Sequence, residues 1–244
     1  MKHLPNALTL CNLWLGMWAL WLASEYRWLD IWYVLCLAAL CDVADGWLAR
    51  RLKAHSPLGK DLDSLADVIT FGAAPGLAVF HYALKNEFMS TGVYCDVSGC
   101  MWAALLPYVR AGWGFLLPLA AAYRLARYNN DPNQSSWFKG LSAPASGLFV
   151  VAALNALNQH SFSPLVQRTI LIGVSAATAW LMVSNLPLFS LKINWPFPFK
   201  FRILFFGLMV CASGALIALV KFDAAGPILV GYLIVSHILK RYTA

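Results

Sequence analysis

The stretch CDVADGWLARRLKAHSPLGKDLDSLADVITFG, residues 41–72, sets Asp42, Asp45, Asp61, Asp63 and Asp67 inside an otherwise very apolar chain. Residues three or four apart share one face of a helix, and that spacing occurs twice, at Asp42/Asp45 and at Asp63/Asp67. Two helices joined by a short connection pack as antiparallel neighbours, so the two pairs are expected to face one another. Four carboxylates converging on one small volume repel one another and lose hydration. Hard divalent cations, Mg²⁺ or Mn²⁺, resolve both problems, because they take carboxylate oxygens and leave positions open for phosphate. Two such ions about 3.5–4 Å apart stabilise both the attacking and the leaving oxygen of a phosphoryl transfer. Metal-assisted phosphoryl chemistry is therefore the first functional expectation. Gly46 and Ala49 lie on the same stretch as the first pair and Gly59 opens the next helix, so a bulky ligand can approach the backbone there. Arg50 follows directly, and a guanidinium is a natural bidentate partner for phosphate.

The elements that must hold these residues are membrane helices. The 244 residues are 60% hydrophobic and only 12% charged, whereas a soluble domain carries about twice that charged fraction. Apolar runs near the roughly 20 residues a helix needs to cross a bilayer recur along the chain. Eight spans are predicted, at 7–24, 28–50, 61–84, 103–126, 143–159, 165–186, 202–221 and 225–240, giving an all-α polytopic bundle in a single domain, 1–244. The first run is long and has no small-residue cleavage site, so it reads as a span and not a signal peptide. With eight spans, 13 of the 18 Lys and Arg fall on one side, leaving Arg27, Lys85, Arg110, Arg168 and Lys221 on the other. The positive-inside rule then puts both termini and the aspartates at the cytoplasmic face. The net charge of +7 concentrates there, facing anionic lipid headgroups. Because the basic residues are spread over short loops, nucleic acid is not an expected partner.

Cys11, Cys36, Cys41 and Cys211 fall inside spans and read as apolar packing residues. Cys95 and Cys100, in GVYCDVSGC on the outer side, are expected to form a disulfide. Neither the cysteines nor His3, His55, His81, His160 and His237 have zinc-ligand spacing. The segment 188–201, LFSLKINWPFPFKF, suits a stretch lying along the lipid interface. A divalent-cation transporter would use the same aspartates as a transit site. It would need polar residues continuing to the outer face, and no internal repeat of the kind many transporters show is apparent.

Written as a pattern, Asp42-x2-Asp45-Gly46-x2-Ala49-Arg50-x8-Gly59-x3-Asp63-x3-Asp67 resembles the signature of the CDP-alcohol phosphatidyltransferases at every position. The resemblance implies that Asp42, Asp45 and Asp63 are metal ligands, that Asp67 is both ligand and general base, and that Gly46, Ala49, Arg50 and Gly59 surround the CDP group. Within that family LPNALTLCN at 4–12, DSLADVITFGAAPG at 63–76, RLARYN at 124–129, GLSAPAS at 140–146 and LMVSNLP at 181–187 are similar to the membrane-spanning phosphatidylserine synthases. Ser142 departs from the proline expected in a GLPSPA-like run. The implied reaction is attack of the L-serine hydroxyl on CDP-diacylglycerol, releasing CMP, in a bacterial inner membrane; a homodimer is also expected. Glycerol phosphate, inositol phosphate or choline are the alternative acceptors. Arg124, Arg127 and Asn129, at the cytoplasmic end of the fourth span, are candidates for the serine carboxylate. Asn6, Thr9 and Asn12 share a helix face near the same surface and are expected to contact substrate.

Overall fold

The computed structural model describes residues 4–54, 56–91, 101–130 and 138–188. Helices α1 (Leu4–Ser24) and α2 (Trp28–Arg51) are followed by α3 (Pro57–Asp67), a π-helical turn at Val68–Ala73 and α4 (Ala74–Thr91), which form one continuous column. Then come α5 (Met101–Ala111), a 3₁₀ turn at Gly112–Phe115, α6 (Leu116–Asn129), α7 (Ala143–Gln159) and α8 (Pro164–Val183). A two-residue antiparallel pair, Phe138–Lys139 with Pro187–Leu188, ties the loop before α7 to the end of α8. Five segments are long and apolar enough to cross a membrane: α1, α2, the Pro57–Met89 column, Leu105–Asn129 and α8. Apart from that short pair the elements among the described residues are all helical, and the chain is an integral membrane protein. The expected spans 202–221 and 225–240, the Cys95/Cys100 pair and the interfacial stretch from 189 to 201 lie outside the described residues.

A serine cap position with proline in the first turn starts three of these helices. Ser56 precedes Pro57 and its Oγ accepts from Gly59 N at 3.0 Å, a side-chain cap on the first turn of α3. Ser163 precedes Pro164 at the start of α8, and Ser142 precedes Ala143-Pro144 at the start of α7. The φ of Ser142 is −68°, the value a proline ring would impose. The departure from the expected run therefore leaves the backbone path unchanged.

The interior is built inside out relative to a soluble protein. On α1 the buried residues are Pro5, Thr9, Asn12, Leu15, Gly16, Ala19, Leu22 and Ala23, a stripe recurring every three or four positions. Trp14, Met17, Trp18 and Trp21 stay exposed on the other face, toward the apolar surroundings. Burying small residues lets helix backbones approach, which is how membrane helices gain packing where lipid is as apolar as leucine. The closest approaches use glycine. A Cβ on Gly76 would stand 2.7 Å from Gly114 O, and one on Gly147 would stand 2.8 Å from Phe71 O. Both partners are backbone and cannot swing aside. Gly147→Ala should therefore destabilise the bundle by roughly 1–3 kcal/mol, seen as a lower thermal midpoint in detergent; an unchanged midpoint would show that α7 can shift outward.

Two expected spans differ from the structure. The third, expected at 61–84, runs from Pro57 to Thr91 and widens into the π turn directly after Asp67. Pro75 lies just beyond that turn and has no N–H to give, which favours a break in the regular ladder. The fourth, expected at 103–126, runs from Met101 to Asn129 and tightens at Gly112–Phe115, where Gly114 meets α4. The fifth matches its expected bounds, and its 17 residues reach about 26 Å.

The bundle carries polar groups at two ends. At the end away from the aspartates, Glu87 is 4% exposed and accepts from Arg110 Nη1 at 2.7 Å and from Arg168 Nη1. Tyr82 Oη and Asn86 Nδ2 both donate to Gln167 Oε1 at 3.0 Å. These bonds clamp α4, α5 and α8, and the buried carboxylate is held because both its oxygens meet a guanidinium.

Candidate active site

The core stripe of α2 runs Ile31, Leu35 and Ala38, and its next steps of four and three residues are Asp42 and Asp45. On the next column Asp63, Asp67, Thr70, Ala74 and Ala78 follow the same rule. The aspartates are thus on the seam and not on a solvated helix end, unlike Asp61, which is exposed. One carboxylate oxygen from each of Asp42, Asp63 and Asp67 lies within 4.8 Å of the others. Asp67 is 7% exposed, while Asp42 and Asp63 are partly covered. Three negative charges this close in a poorly hydrated place repel strongly. An all-carboxylate oxygen set is the donor chemistry that a divalent cation such as Mg²⁺ or Mn²⁺ takes. The residues present therefore fit a divalent metal.

Asp45 stands outside this trio. It is 5% exposed and its Oδ2 accepts from Thr9 Oγ1 at 2.6 Å. Asp63 and Arg50 are among its charged neighbours, so it borders the trio without joining it.

The expected facing of the second and third spans is met at the carboxylates. The carboxylates meet, but α1 packs along α2, α3 and α4 and fills the space between the two arms. α2 meets the other arm through the carboxylates, Asp42 beside Asp63 and Asp67, and at the π turn. Small residues on the buried face of α1, Gly16, Ala19 and Ala23, make it thin enough to insert.

Around this group the other expected residues separate. Arg50 is exposed and folds back over Gly46, where a Cβ would be 3.5 Å from Arg50 Nη1. Ala49 is partly covered on the same turn. A Cβ on Gly59 would stand 3.0 Å from Ser56 Oγ and 3.1 Å from Asn6 Oδ1, so Asn6 and the helix cap already crowd that position. Thr9 bonds Asp45, and Asn12 Nδ2 donates to Asp67 Oδ1 at 3.3 Å, so both are engaged by carboxylates.

At the end of α6 the three candidates go three ways. Arg124 is partly covered and is a charged neighbour of Asp42 and Asp67. Arg127 donates from Nη2 to Asn185 Oδ1 at 2.6 Å and from Nη1 to Val183 O at 3.4 Å, closing the C-terminus of α8. Asn129 Nδ2 donates to Ser64 Oγ at 2.8 Å, and Asn129 O accepts from Lys60 Nζ at 3.1 Å, latching α6 to α3. Sequence reasoning missed Thr70, whose Oγ1 donates to Asn12 O at 3.1 Å. Its position three residues after Asp67, on the same face, was the available signal.

The comparisons with known proteins bear on what this carboxylate group does. The family profile for CDP-alcohol phosphatidyltransferase matches residues 2–191, which includes every residue of the group. A CDP-diacylglycerol--serine O-phosphatidyltransferase of Helicobacter pylori is 30% identical over 195 residues, covering 78% of this chain and 74% of the relative. The enzyme of the same name from Bacillus subtilis is 24% identical, covering 76% of this chain and 89% of the relative. An archaetidylserine synthase of Methanothermobacter thermautotrophicus is 27% identical, covering 75% of this chain and 68% of the relative. With the profile spanning well over half of its length and the aspartate pattern intact, the chain belongs to the CDP-alcohol phosphatidyltransferase family.

Proposed function

We propose that the whole chain, 1–244, is one catalytic domain that transfers the phosphatidyl group of CDP-diacylglycerol to L-serine, giving phosphatidylserine and CMP. The observation that carries the chemistry is the convergence of Asp42, Asp63 and Asp67 within 4.8 Å at the end of the bundle where Arg124 also lies. Serine is favoured as acceptor because the names of the bacterial and the archaeal relatives share serine and differ in the lipid.

Asp42, Asp63 and Asp67, with Asp45 adjoining, would hold a divalent cation, Mg²⁺ or Mn²⁺ and in the full site a pair, which would supply positive charge to the pyrophosphate and the leaving phosphate. Asp67 accepts the proton of the serine hydroxyl as the new O–P bond forms. The bond from that phosphorus to the CMP oxygen breaks, and CMP leaves as the phosphate monoester. Arg50, beside Gly46 and Ala49, pairs with phosphate oxygens of the nucleotide, and Gly59 borders the same space. Water competes with serine as nucleophile, so the acceptor must be held by its carboxylate, the role assigned to Arg124. The site faces the cytoplasm of a bacterial inner membrane, in an eight-span bundle with both termini inside and two copies per assembly.

The deciding experiment uses the full chain in CDP-diacylglycerol vesicles. CMP release should require L-serine, stop with EDTA and return with Mg²⁺ or Mn²⁺. Release with glycerol phosphate, inositol phosphate or choline in place of serine would overturn the acceptor. Cation flux without CMP release would make the protein a transporter, and indifference to EDTA would remove the metal.

A further inference from the structure

A polar side chain buried in a membrane bundle has to be satisfied from within, and α1 carries two at its aspartate end. Thr9 is 3% exposed and Asn12 is fully buried. Thr9 Oγ1 has two acceptors in reach, Pro5 O at 3.1 Å and Asp45 Oδ2 at 2.6 Å. A hydroxyl has one proton. The bond to Pro5 is the ordinary back-bond of a helical threonine, whereas the shorter one crosses to another helix and is charge-assisted.

Asn12 spends its amide on Asp67, while its own Oδ1 is buried without a partner. An orphaned buried oxygen costs stability, so orienting Asp67 outweighs satisfying Asn12 itself. The backbone is registered at the same place. Thr70 Oγ1 donates to Asn12 O at 3.1 Å, and one turn on, a Cβ at Gly16 would lie 2.9 Å from Thr70 Cα.

We infer that α1 is the positioning element of the acidic site, with Thr9 orienting Asp45 and Asn12 orienting Asp67, and that neither side chain contacts substrate. This rests on reading the carboxylates as the metal centre of the transferase. A hydrogen bond on one carboxylate oxygen fixes the rotation of the group: for Asp67, one of the trio, it leaves the other oxygen to a cation, and for Asp45 it fixes the carboxylate that borders the trio. Thr9 takes Asp45 Oδ2, and Asn12 takes Asp67 Oδ1. Outer partners of metal-binding carboxylates act in this way.

The test is Mn²⁺ affinity, read by electron paramagnetic resonance on the full chain in detergent, beside steady-state kinetics at saturating metal. Thr9→Val keeps the shape and removes the donor, and Asn12→Leu does the same for Asp67. Each should weaken Mn²⁺ binding about 10–100-fold, with KM for CDP-diacylglycerol and for serine unchanged. Thr9→Ser, which restores the hydroxyl, should restore wild-type affinity. Unchanged Mn²⁺ affinity with a raised KM for either substrate overturns the inference and makes these residues substrate contacts. Equal loss in Thr9→Ser and Thr9→Val, with a lowered thermal midpoint in both, also overturns it in favour of packing. Because the readout needs no acceptor, a wild-type enzyme that binds Mn²⁺ but uses another alcohol sinks the serine assignment alone. A wild-type chain that binds no Mn²⁺ sinks the metal reading and this inference together.

Discussion

Asp67→Asn should lower phosphatidyl transfer by about 10²–10⁴-fold, the range attributed to a positioned proton acceptor, while CDP-diacylglycerol binding stays measurable. The substitution is nearly isosteric. The acceptor oxygen facing Asn12 Nδ2 can be kept, so the 3.3 Å hydrogen bond survives and the seam is not reopened. What is lost is the basic oxygen and one of the three charges converging within 4.8 Å. Without metal, removing one of three mutually repelling carboxylates relieves strain. In EDTA the variant should therefore melt no lower than wild type, and a metal-induced rise in its midpoint should shrink. That combination separates a chemical defect from misfolding. Turnover near the wild-type level would remove Asp67 from the reaction.

Arg124→Lys should raise KM for serine by about 10–100-fold and leave the affinity for CDP-diacylglycerol nearly unchanged, the size expected for losing one charged hydrogen bond. An amino acid brought to a membrane surface needs an opposing charge for its carboxylate, and a guanidinium fork can hold both oxygens. From the chain alone, Arg124 and Arg127 are equal candidates. Their surroundings separate them, since Arg124 neighbours Asp42 and Asp67 while Arg127 is spent on Asn185 and Val183 at the end of α8. Arg127→Lys should accordingly change the thermal midpoint more than any kinetic constant. A serine defect confined to Arg127→Lys would reverse the assignment. Equal losses for both substrates in Arg124→Lys would identify a pyrophosphate contact instead.

Much of this protein is legible in the chain because its determinants are local. Apolar runs mark the helices, Ser-Pro pairs mark two of their starts, and the steps from Ile31 to Asp45 put two aspartates on the buried stripe of α2. The spacing of eight signature positions also carries the family, since a metal and a nucleotide phosphate set the same distances wherever helices hold them. Other features needed the tertiary structure. Spacing says which residues share a face but not what that face meets. Asp45 therefore reads as equivalent to Asp42 until α1 is seen to insert and take it by Thr9. Asn12 shares a helix face with Thr9, but only the structure shows that its amide donates to Asp67. The Glu87 clamp with Arg110 and Arg168 likewise depends on neighbours remote in the chain. The physical reason is common to all of them. In a membrane bundle the choice of neighbour is made by backbones approaching through small residues such as Gly16, Gly76, Gly114 and Gly147, and that fit belongs to pairs of surfaces, which no single helix encodes by its own periodicity.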